Sequence, residues 1–590
     1  EVCRTEHSDK LASLEQDYPD LYRELDDIRL GLEKHYHDML DIEFTIQSGK
    51  LWMLQCRIGK RNGPAAIRMA SEMVKEKLID EKTAIGRVAP SQLDELLHPI
   101  VDPEAEKNTS LLAKGLPAGP GGATGKAVFT AQDAVDWEAR GEKVVLVREE
   151  TNPEDVEGMR ASIAILTSRG GMTSHAALVA RGWGMCCIVG AGEMKVDSAQ
   201  REFTVGGTTI REGDKITLNG TLGKVYEGEL PLIEPNITSD YLSHFLSLCD
   251  GIRKLKVRTN AETPADAKRA LEFGAQGIGL FRIEHMFYGE GSEKPLFHLQ
   301  EMIMSNNAEE RKTALDSLFP FMKNDIKETL RAMKGLPVTI RLMDPPLHEF
   351  IPHDKKRQKQ LSDSLGIDSK ELARRSDALK ESNPMMGHRG VRLGITHPEI
   401  TEMQARSILE AAAELTGEGV ETYPEIMVPL TGMSTEYDHQ EKIIRDVASK
   451  IDNLGNYMVG TMIEIPRATI IADKIAEKAE FFSFGTNDLT QMTFGFSRDD
   501  TGGFMPSYLE QGLLPEDPFA SLDEGVCELV RMGIEKGRSA RPELKVGICG
   551  EHGGDPKSVH FCHDVGMDYV SCSPFRVPIA RLSAAQAVLK

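Results

Sequence analysis

The clearest chemical signal is a short segment around His175, the run Gly-Gly-Met-Thr-Ser-His-Ala-Ala-Leu-Val-Ala-Arg-Gly at 170–182. A predicted strand ends just before it, the glycine pair turns the chain, and Thr173 or Ser174 can cap the helix that follows. Gly182 ends that helix. His175 is therefore predicted in the first helical turn, where free N–H groups and the helix dipole favour an anion. This imidazole could carry a phosphoryl group, although a lone histidine on a helix is more often structural.

Several arginines form a second candidate group, because they lie at or near the ends of predicted strands. Arg282 ends the run Gly-Ile-Gly-Leu-Phe-Arg, and Arg341 lies near the end of Val-Thr-Ile-Arg-Leu-Met-Asp. Arg389 and Arg392 lie in the turn Gly-His-Arg-Gly-Val-Arg. A guanidinium group binds phosphate or carboxylate through paired hydrogen bonds. Each residue alone could be a surface arginine, but several at strand ends predict an anion site.

Two carboxylates follow neighbouring predicted strands. Glu464 comes directly after the predicted strand 458–463, and Asp488 follows the predicted strand 481–486. Oxygen ligands of this kind suit Mg²⁺, which keeps waters and takes its remaining ligands from the substrate. The sequence therefore predicts a magnesium site, with helix capping opposite lysine or arginine as the alternative role.

Cys549 is a third kind of candidate. It is the last residue of an apolar predicted strand and precedes the glycine-rich run Gly-Glu-His-Gly-Gly. A cysteine in such a strand is more often a small core residue. Its place at the strand end, with glycines after it, would nevertheless allow a ligand to approach closely, so the residues alone leave both roles open.

The elements that must position these residues are apolar strands that alternate with helices. Eight such units predict a (β/α)8 TIM barrel over 255–590, with an open doubly wound sheet as the alternative. In a barrel the carboxyl ends of the strands form the active-site face, where the candidates fall. The insert 344–386 is predicted to be a solvated helical excursion. The predicted strands are Leu255–Ala261, Gly277–Arg282, Val338–Met343, Glu425–Leu430, Met458–Ile463, Phe481–Thr486, Lys545–Cys549 and Asp568–Cys572.

Further segments precede the barrel. Short strands and turns predict a compact β-rich domain at 109–230, between linkers at 61–108 and 231–254. Residues 41–57 alternate polar and apolar around a central turn, which predicts a β-hairpin. One hairpin and a few helices make a poor independent core. Residues 1–60 are therefore predicted to be the end of a domain whose beginning is absent, with a small helical cap as the alternative.

Composition excludes several classes of function. The 590 residues carry 70 Lys and Arg against 92 Asp and Glu, a net charge of −22, which argues against nucleic acid and membrane surfaces as partners. No run of about 18 apolar residues is present, so no membrane-spanning helix is predicted. The nine cysteines are scattered without a CxxC pair, which favours a reduced, cytoplasmic compartment. The sequence begins with Glu1 rather than Met, so an upstream targeting segment stays open.

The segment 170–182 resembles the phosphohistidine motif of the PEP-utilising enzymes, a family that includes the pyruvate phosphate dikinases, the PEP synthases and enzyme I of the sugar phosphotransferase system. Gly-Gly-Met-Thr-Ser-His-Ala-Ala and the hairpin ending Leu-Gln-Cys-Arg-Ile-Gly-Lys-Arg are most similar to the dikinases. The dikinases usually have Thr and Asn where Cys56 and Ile58 stand. The resemblance covers essentially the whole chain, as the last two-thirds or so of such an enzyme, lacking much of its nucleotide domain.

This resemblance implies an α/β multidomain fold, with an N-terminal remnant of an ATP-grasp domain, a central swivelling β/β/α phosphohistidine domain and a PEP/pyruvate-binding barrel. It implies a reversible reaction in which ATP, phosphate and pyruvate give AMP, pyrophosphate and PEP. His175 would take a phosphoryl group at one site and deliver it at another, so the central domain would swing between them. The implied cofactor is Mg²⁺, and the implied assembly is a homodimer through the barrel.

The resemblance also implies a role for each candidate. Cys549 would protonate C3 of the pyruvate enolate, a task that suits a thiol because it is neutral yet acidic enough to donate. Glu464 and Asp488 would bind the Mg²⁺ that chelates pyruvate, and Arg282 and Arg341 would hold the phosphate of PEP. The implied substrate-binding residues together are Arg282, Arg341, Arg389, Gly485, Thr486, Asn487 and Asp488.

In the N-terminal segment, Glu43, Gln55 and Arg57 match the end of an ATP-grasp domain, where family members use these positions near the nucleotide phosphates. The glycine-rich phosphate loop would lie upstream of Glu1. The chain is therefore expected to perform only the PEP/pyruvate half of the reaction.

Three alternatives stay open from the sequence. A PEP synthase would hydrolyse its phosphate instead of forming pyrophosphate. A phosphorelay protein like enzyme I would pass phosphate from PEP to a protein partner, but enzyme I lacks a nucleotide domain, so the hairpin at 41–57 argues against it. The third alternative is a truncated, inactive homologue.

Overall fold

The computed structural model describes residues 13–152, 155–171, 174–234, 240–287, 292–305, 307–352, 355–381, 383–498, 501 and 504–590. Thr173, one of the two predicted helix caps beside His175, lies outside these ranges. No helix within them is both long and apolar enough to cross a membrane.

The N-terminal segment forms two helices and the predicted hairpin. Ser48 and Gly49 both adopt left-handed backbone conformations, with φ of 53° and 74°, which a tight two-residue hairpin turn requires. The register pairs Glu43 with Gln55. The elements are α1 (Leu14–Asp17), α2 (Pro19–Tyr36), β1 (Leu40–Gln47) and β2 (Lys50–Ile58).

Residues 61–108, predicted to be a linker, are largely helical, and their first three helices are packed on the C-terminal barrel. Their elements are α3 (Gly63–Lys75), α4 (Glu81–Arg87), α5 (Pro90–Asp94), β3 (Ile100–Val101) and α6 (Pro103–Lys107). Ile67, Ile85 and Leu93 from the first three helices lie in the same hydrophobic core as the barrel. Gln586 near the C-terminus donates to the Ile85 carbonyl over 2.9 Å. These three helices are therefore part of the barrel body.

The central unit has the predicted β/β/α layers. Its elements are β4 (Leu111–Lys114), β5 (Leu116–Gly119), β6 (Gly122–Val128), α7 (Ala131–Glu138), β7 (Val144–Arg148), α8 (Val156–Ala161), β8 (Ala164–Thr167), α9 (His175–Trp183), β9 (Cys186–Val189), β10 (Lys195–Asp197), β11 (Glu202–Val205), β12 (Thr208–Arg211), β13 (Lys215–Asn219) and β14 (Lys224–Glu227). In the described residues, a mixed sheet runs in the order β4-β14-β13-β6-β7-β8-β9-β5. Phe203 and Ile210 of the small sheet β10–β12 pack on one face, and Met159 and Ala176 of the helices pack on the other.

The two connections of the central unit to the rest of the chain pair with each other. β15 (Leu232–Ile233) runs antiparallel to β3 and forms a short ribbon with it. On the next helix, Glu106 accepts a hydrogen bond of 2.7 Å from the Tyr226 hydroxyl, which ties α6 to the central sheet. The helix α10 (Asp240–Ile252) instead places Phe245 in the barrel core. The ribbon and α6 therefore belong to the central unit, while α5 before them and α10 after them belong to the barrel body.

The C-terminal part is the predicted (β/α)8 barrel, and the open-sheet alternative is wrong. Eight parallel strands among the described residues close in chain order. These strands could be predicted from the sequence because each is a buried apolar run bounded by glycine, proline or charged residues. The strands are β16 (Lys256–Ala261), β17 (Ile278–Arg282), β18 (Pro337–Arg341), β19 (Tyr423–Val428), β20 (Met458–Ile463), β21 (Phe481–Phe484), β22 (Lys545–Ile548) and β23 (Tyr569–Cys572).

Helices surround the barrel and cover its apolar outer face. The predicted insert is helical, but Leu361 and Leu372 bury into the main core, so it is a packed element as well as a solvated one. The helices are α11 (Pro264–Glu272), α12 (Glu293–Met304), α13 (Ala308–Ala332), α14 (Lys355–Leu365), α15 (Ser369–Leu379), α16 (Val391–Thr396), α17 (Pro398–Gly417), α18 (Ser434–Ala448), α19 (Pro466–Ile470), α20 (Ala472–Ala476), α21 (Thr486–Phe494), α22 (Met505–Glu510), α23 (Glu524–Ala540), α24 (Pro556–Asp564) and α25 (Val577–Leu589).

A buried ion network lies inside the barrel. Arg258 donates from Nη1 to Glu425 Oε2 over 2.8 Å and to Thr339 Oγ1 over 3.1 Å, and its guanidinium lies 3.9 Å from the centre of the Tyr569 ring. Lys545 also pairs with Glu425. Burial alone would raise the pKa of Glu425, but Arg258 and Lys545 lower it to about 2. The Glu425 carboxylate therefore stays ionised in the core. The buried charges of Glu425 and Arg258 stabilise each other.

We expect Glu425→Leu to destabilise the barrel strongly, because Arg258 would remain buried without its counter-charge. Breaking a buried pair from one side costs about 3–5 kcal/mol. The double variant Arg258→Met, Glu425→Leu should recover much of the loss, since it removes both charges. Urea unfolding followed by circular dichroism measures both changes, and an unaltered transition in Glu425→Leu would contradict this account.

Candidate active site

The carboxyl ends of the barrel strands surround a cavity of about 290 Å³. Its position follows from the fold, because all strands of a parallel barrel end on the same face. Eight of the predicted site residues line it, namely Arg282, Arg341, Arg389, Glu464, Gly485, Asn487, Asp488 and Cys549. The cavity is also lined by Leu280, Asp344, Met462, Gln491, Arg498 and Gly550.

Asp344 joins two of the predicted arginines. Its Oδ2 lies 3.0 Å from Arg341 Nη1, and its Oδ1 accepts a hydrogen bond of 3.1 Å from Arg389 Nε. Burial alone would raise the pKa of Asp344, but the two guanidinium groups hold it below its usual value. Arg341 also pairs with buried Glu284. Both guanidinium groups are therefore oriented before any ligand binds.

Arg282 is the most accessible of the three predicted arginines. Its side chain is 26% exposed, against 10% for Arg341 and 11% for Arg389. Its Nη1 lies 3.4 Å from Glu262 Oε1 at the rim of the cavity. An ion pair this long and this exposed is weak, so Arg282 can turn to an incoming anion at little cost.

Glu464 is almost fully buried and is held by the backbone. Its Oε1 accepts a hydrogen bond of 2.6 Å from the Leu430 N–H. Burial raises the pKa of Glu464 well above its usual value, and the negative charges of Asp488 and Asp344 raise it further. The carboxylate is therefore short of positive charge, which a bound cation would supply.

The residues here fit a magnesium ion. Gly485 keeps space beside Glu464, because a Cβ at that position would lie 2.8 Å from Glu464 Oε2. Over the described residues, no three His, Cys, Asp or Glu side chains form a ready-made metal cage. Mg²⁺ is commonly held by one or two carboxylates, with substrate and water completing the shell. Glu464 and Asp488 would supply those carboxylates.

Thr486, Asn487 and Asp488 are the first three residues of α21, and their side chains make different contacts. Asp488 Oδ2 accepts from Arg389 Nη2 over 2.9 Å, and its Oδ1 accepts from Gln491 Nε2 over 3.0 Å. Asn487 Oδ1 accepts from the Glu551 N–H over 3.1 Å. Thr486, predicted to bind substrate, is fully buried, with its hydroxyl 2.7 Å from His552 Nδ1 and outside the cavity lining.

Cys549 lies at the floor of the cavity among apolar side chains. It is 2% exposed and packs with Leu280, Met462 and Phe481. Burial raises the pKa of the thiol to about 11, with the Ser483 hydroxyl beside it opposing that shift. The sulfur is therefore protonated at neutral pH and can serve as a proton donor.

His175 begins α9, as the sequence predicted. Its Nδ1 lies 3.1 Å from Thr151 Oγ1, which fixes the orientation of the ring. Gly170 adopts φ of 98°, and a Cβ there would lie 2.9 Å from Ser174 Cβ, so the turn requires glycine. Ser174, the other predicted cap, has a buried hydroxyl without a hydrogen-bond partner among the described residues.

A larger cleft of about 800 Å³ separates α9 from the barrel mouth. Val179 and Arg160 line it from the central unit, and Arg282, Arg498 and Gly550 line both this cleft and the smaller cavity. Val179 lies one helical turn after His175, and residues four apart share a helix face. The face of α9 that carries the histidine is therefore turned toward the barrel mouth.

The predicted nucleotide-site residues lie apart from these cavities, on the hairpin. Glu43 and Gln55 are register partners, and both are exposed. Arg57 Nη2 lies 2.8 Å from Asp41 Oδ2, with both side chains about half exposed. The hairpin thus exposes these polar residues to solvent together with the apolar Trp52 and Leu54.

Several residues at the site were missed by sequence reasoning. Asn260 lies near the carboxyl end of β16 and donates to the Cys549 carbonyl over 3.0 Å. The strand-end rule could have found it and Glu262. Thr151 and Arg498 lie in loops with no periodic signal, and only the fold brings them to His175 and to the barrel mouth.

Parts of the chain match family models. Residues 238–589, more than half of the chain, match the PEP-binding domain of the PEP-utilising enzymes. Residues 140–223 match the mobile domain of the PEP-utilising enzymes. Residues 4–78 match the AMP/ATP-binding domain of pyruvate phosphate dikinase.

The chain is also similar to curated proteins. It is 54% identical over 578 residues to the chloroplastic pyruvate, phosphate dikinase of Mesembryanthemum crystallinum, which covers 97% of this chain and 60% of that protein. It is 51% identical over 585 residues to the pyruvate, phosphate dikinase of Clostridium symbiosum, which covers 98% of this chain and 66% of that protein. The chain therefore spans about 60–66% of the length of these two relatives.

We expect iodoacetamide to modify Cys56, which is partly exposed on the hairpin, well before Cys549 at neutral pH. The thiolate is the reacting form, and burial holds the pKa of Cys549 at about 11. Raising the pH toward that value should speed modification of Cys549. Mass spectrometry of the two peptides measures both rates, and rapid alkylation of Cys549 at neutral pH would contradict this protonation state.

Proposed function

This chain belongs to the PEP-utilising enzyme family, and from that premise we propose that it transfers a phosphoryl group reversibly between PEP and His175. The observation that carries the proposal is that four arginines, three carboxylates and one protonated thiol line the same cavity. In the whole protein, the phosphoryl group on His175 would be exchanged with ATP and phosphate, to give AMP, pyrophosphate and PEP. The match of residues 4–78 to a nucleotide-binding domain supports this over enzyme I, and the 54% and 51% identity to two dikinases supports it over PEP synthase.

The cavity suits the two ends of PEP. Arg282 and Arg341 would bind the phosphate, and Arg389 would steady the carboxylate end through its contact with Asp488. Glu464 and Asp488 would hold Mg²⁺, which when bound supplies positive charge to the enolate and carboxylate oxygens. Asn487 and Gly485 would shape the remaining wall, and Thr486 would position that loop through His552.

The transfer itself would break one bond and form another at phosphorus. An imidazole nitrogen of His175 attacks as the P–O bond to the enolate oxygen breaks, while the arginines stabilise the transferred charge. Cys549 then gives its proton to C3 of the enolate, which releases pyruvate, and the thiolate regains a proton from solvent. Its high pKa suits this role, because the donor must be protonated at neutral pH.

Movement of the central unit would connect the two half-reactions. His175 lies outside the smaller cavity, so the central unit would approach the barrel to receive phosphate and move away to meet a nucleotide near Glu43, Gln55 and Arg57. The pivot would lie where the ribbon of β3 and β15 meets the barrel body. A homodimer through the barrel and a reducing, cytoplasmic compartment stay predictions, which light scattering and cell fractionation would measure.

We expect PEP and Mg²⁺ to label His175 with an acid-labile phosphoryl group. Glu464→Gln and Asp488→Asn should each slow labelling by about 10²-fold or more, because a catalytic metal contributes several kcal/mol. Asp446→Asn, an exposed carboxylate on α18, is the control and should leave the rate unchanged. Labelling at parental rates in both cavity variants would return the two carboxylates to a capping role.

We expect the proton and phosphoryl steps to be separable. With Mg²⁺ in D₂O, the parent should exchange the methyl hydrogens of pyruvate, and Cys549→Ala should lose about 10²–10⁴-fold of that rate, the usual contribution of a general acid or base. His175→Ala should lose labelling but retain exchange. Cys562→Ala, another fully buried cysteine, is the matched control. Undiminished NMR exchange in folded Cys549→Ala would make this cysteine a core residue.

A further inference from the structure

Leu430 is an unusual residue at the end of a barrel strand. It follows β19, is fully buried, and has a backbone φ of +58°. That left-handed region is unfavourable for a bulky side chain, so Leu430 stays there only because the surrounding structure holds it. Such strain clusters at functional sites, and here it lies beside Glu464.

The left-handed turn aims one backbone group at the predicted metal ligand. The Leu430 N–H donates to Glu464 Oε1 over 2.6 Å. The same turn is tied to the strand that precedes Glu464, because Thr461 Oγ1 donates to the Val428 carbonyl over 2.8 Å and lies 2.7 Å from Thr431 Oγ1. One oxygen of Glu464 is therefore occupied by the backbone, and the other lies beside Gly485.

Gly390, a second residue with positive φ, is packed directly against Leu430. Gly390 has φ of +57°, and a Cβ there would lie 2.8 Å from Leu430 Cβ and 3.0 Å from Asp344 Oδ1. The Val391 N–H also donates to the Pro429 carbonyl over 3.2 Å. The turn that carries Arg389 and the turn that binds Glu464 are therefore packed against each other. The space between them holds the Leu430 Cβ but not a second Cβ at position 390.

We propose that the backbone N–H of Leu430 is a positioning group for Glu464, and that Gly390 holds it in place. The bond to Oε1 fixes the carboxylate so that its other oxygen faces the cavity, as the partners of a metal ligand do. The contact with Gly390 fixes the position of this carboxylate relative to Arg389 and Asp344. This inference rests on the proposed function, because it assigns Glu464 to a metal.

The sharpest test removes the N–H alone. Incorporation of the α-hydroxy acid analogue of leucine at position 430 replaces the amide with an ester and keeps the side chain. We expect the affinity for Mn²⁺, measured by electron paramagnetic resonance without turnover, to fall about 10–100-fold, as for loss of other partners of metal ligands. The same ester at Leu454 is the control, because its N–H makes no hydrogen bond among the described residues. An unchanged affinity at position 430 would overturn the proposal.

A second pair of variants tests the role of Gly390. Gly390→Ala adds a methyl group that must displace Leu430, and it should also weaken Mn²⁺ binding. Gly419→Ala is the control, since that glycine has φ of +75° and no heavy atom within 4 Å of an added Cβ. If Gly390→Ala fails to fold, the ester still decides the proposal. If the parent itself binds no Mn²⁺, or binds it equally with Glu464→Gln, the proposed function fails instead.

Discussion

The ion pairs of Asp344 with Arg341 and Arg389 are the interaction on which the barrel mouth depends. Taking these charges out of water costs several kcal/mol for each ion unless they are paired. Pairing also fixes both guanidinium groups, so an anionic ligand meets donors that are already aligned. Arg389 extends the same network to Asp488 over 2.9 Å. In this network, the Glu464 carboxylate has less positive charge around it than its ionised form needs. A cation would therefore bind beside this residue.

The division of the chain into two packed bodies follows from its core contacts. The helices α3–α5 and α10 share a core with the barrel, and Glu106 ties α6 to the central sheet. Both connections between these two bodies pass through the ribbon of β3 and β15, which packs on the central sheet. The cleft of about 800 Å³ between α9 and the barrel would give the central unit room for the movement that the proposed function requires.

Local patterns predicted the barrel strands and most residues around the cavity. Glu464, Asp488 and Cys549 each follow an apolar run, and in a closed parallel barrel every such run ends on the same face. The structure of the linkers was harder to predict, because a helix packed on the barrel and a helix between domains show the same hydrophobic periodicity in the sequence. Thr486 was placed with its neighbours by motif, yet its side chain turns to His552, since direction within a loop depends on three-dimensional contacts.

The sequence by itself determined the order of elements, the helix start at His175 and the residue types at the strand ends, because these depend on neighbours along the chain. Only the tertiary structure decided which groups share a charge and which backbone is strained. The pairing of Asp344 with Arg389, the contact of Thr151 with His175 and the hydrogen bond from the Leu430 N–H to Glu464 join residues far apart in sequence. Their energies come from burial and close packing, which arise only when the chain folds and excludes water.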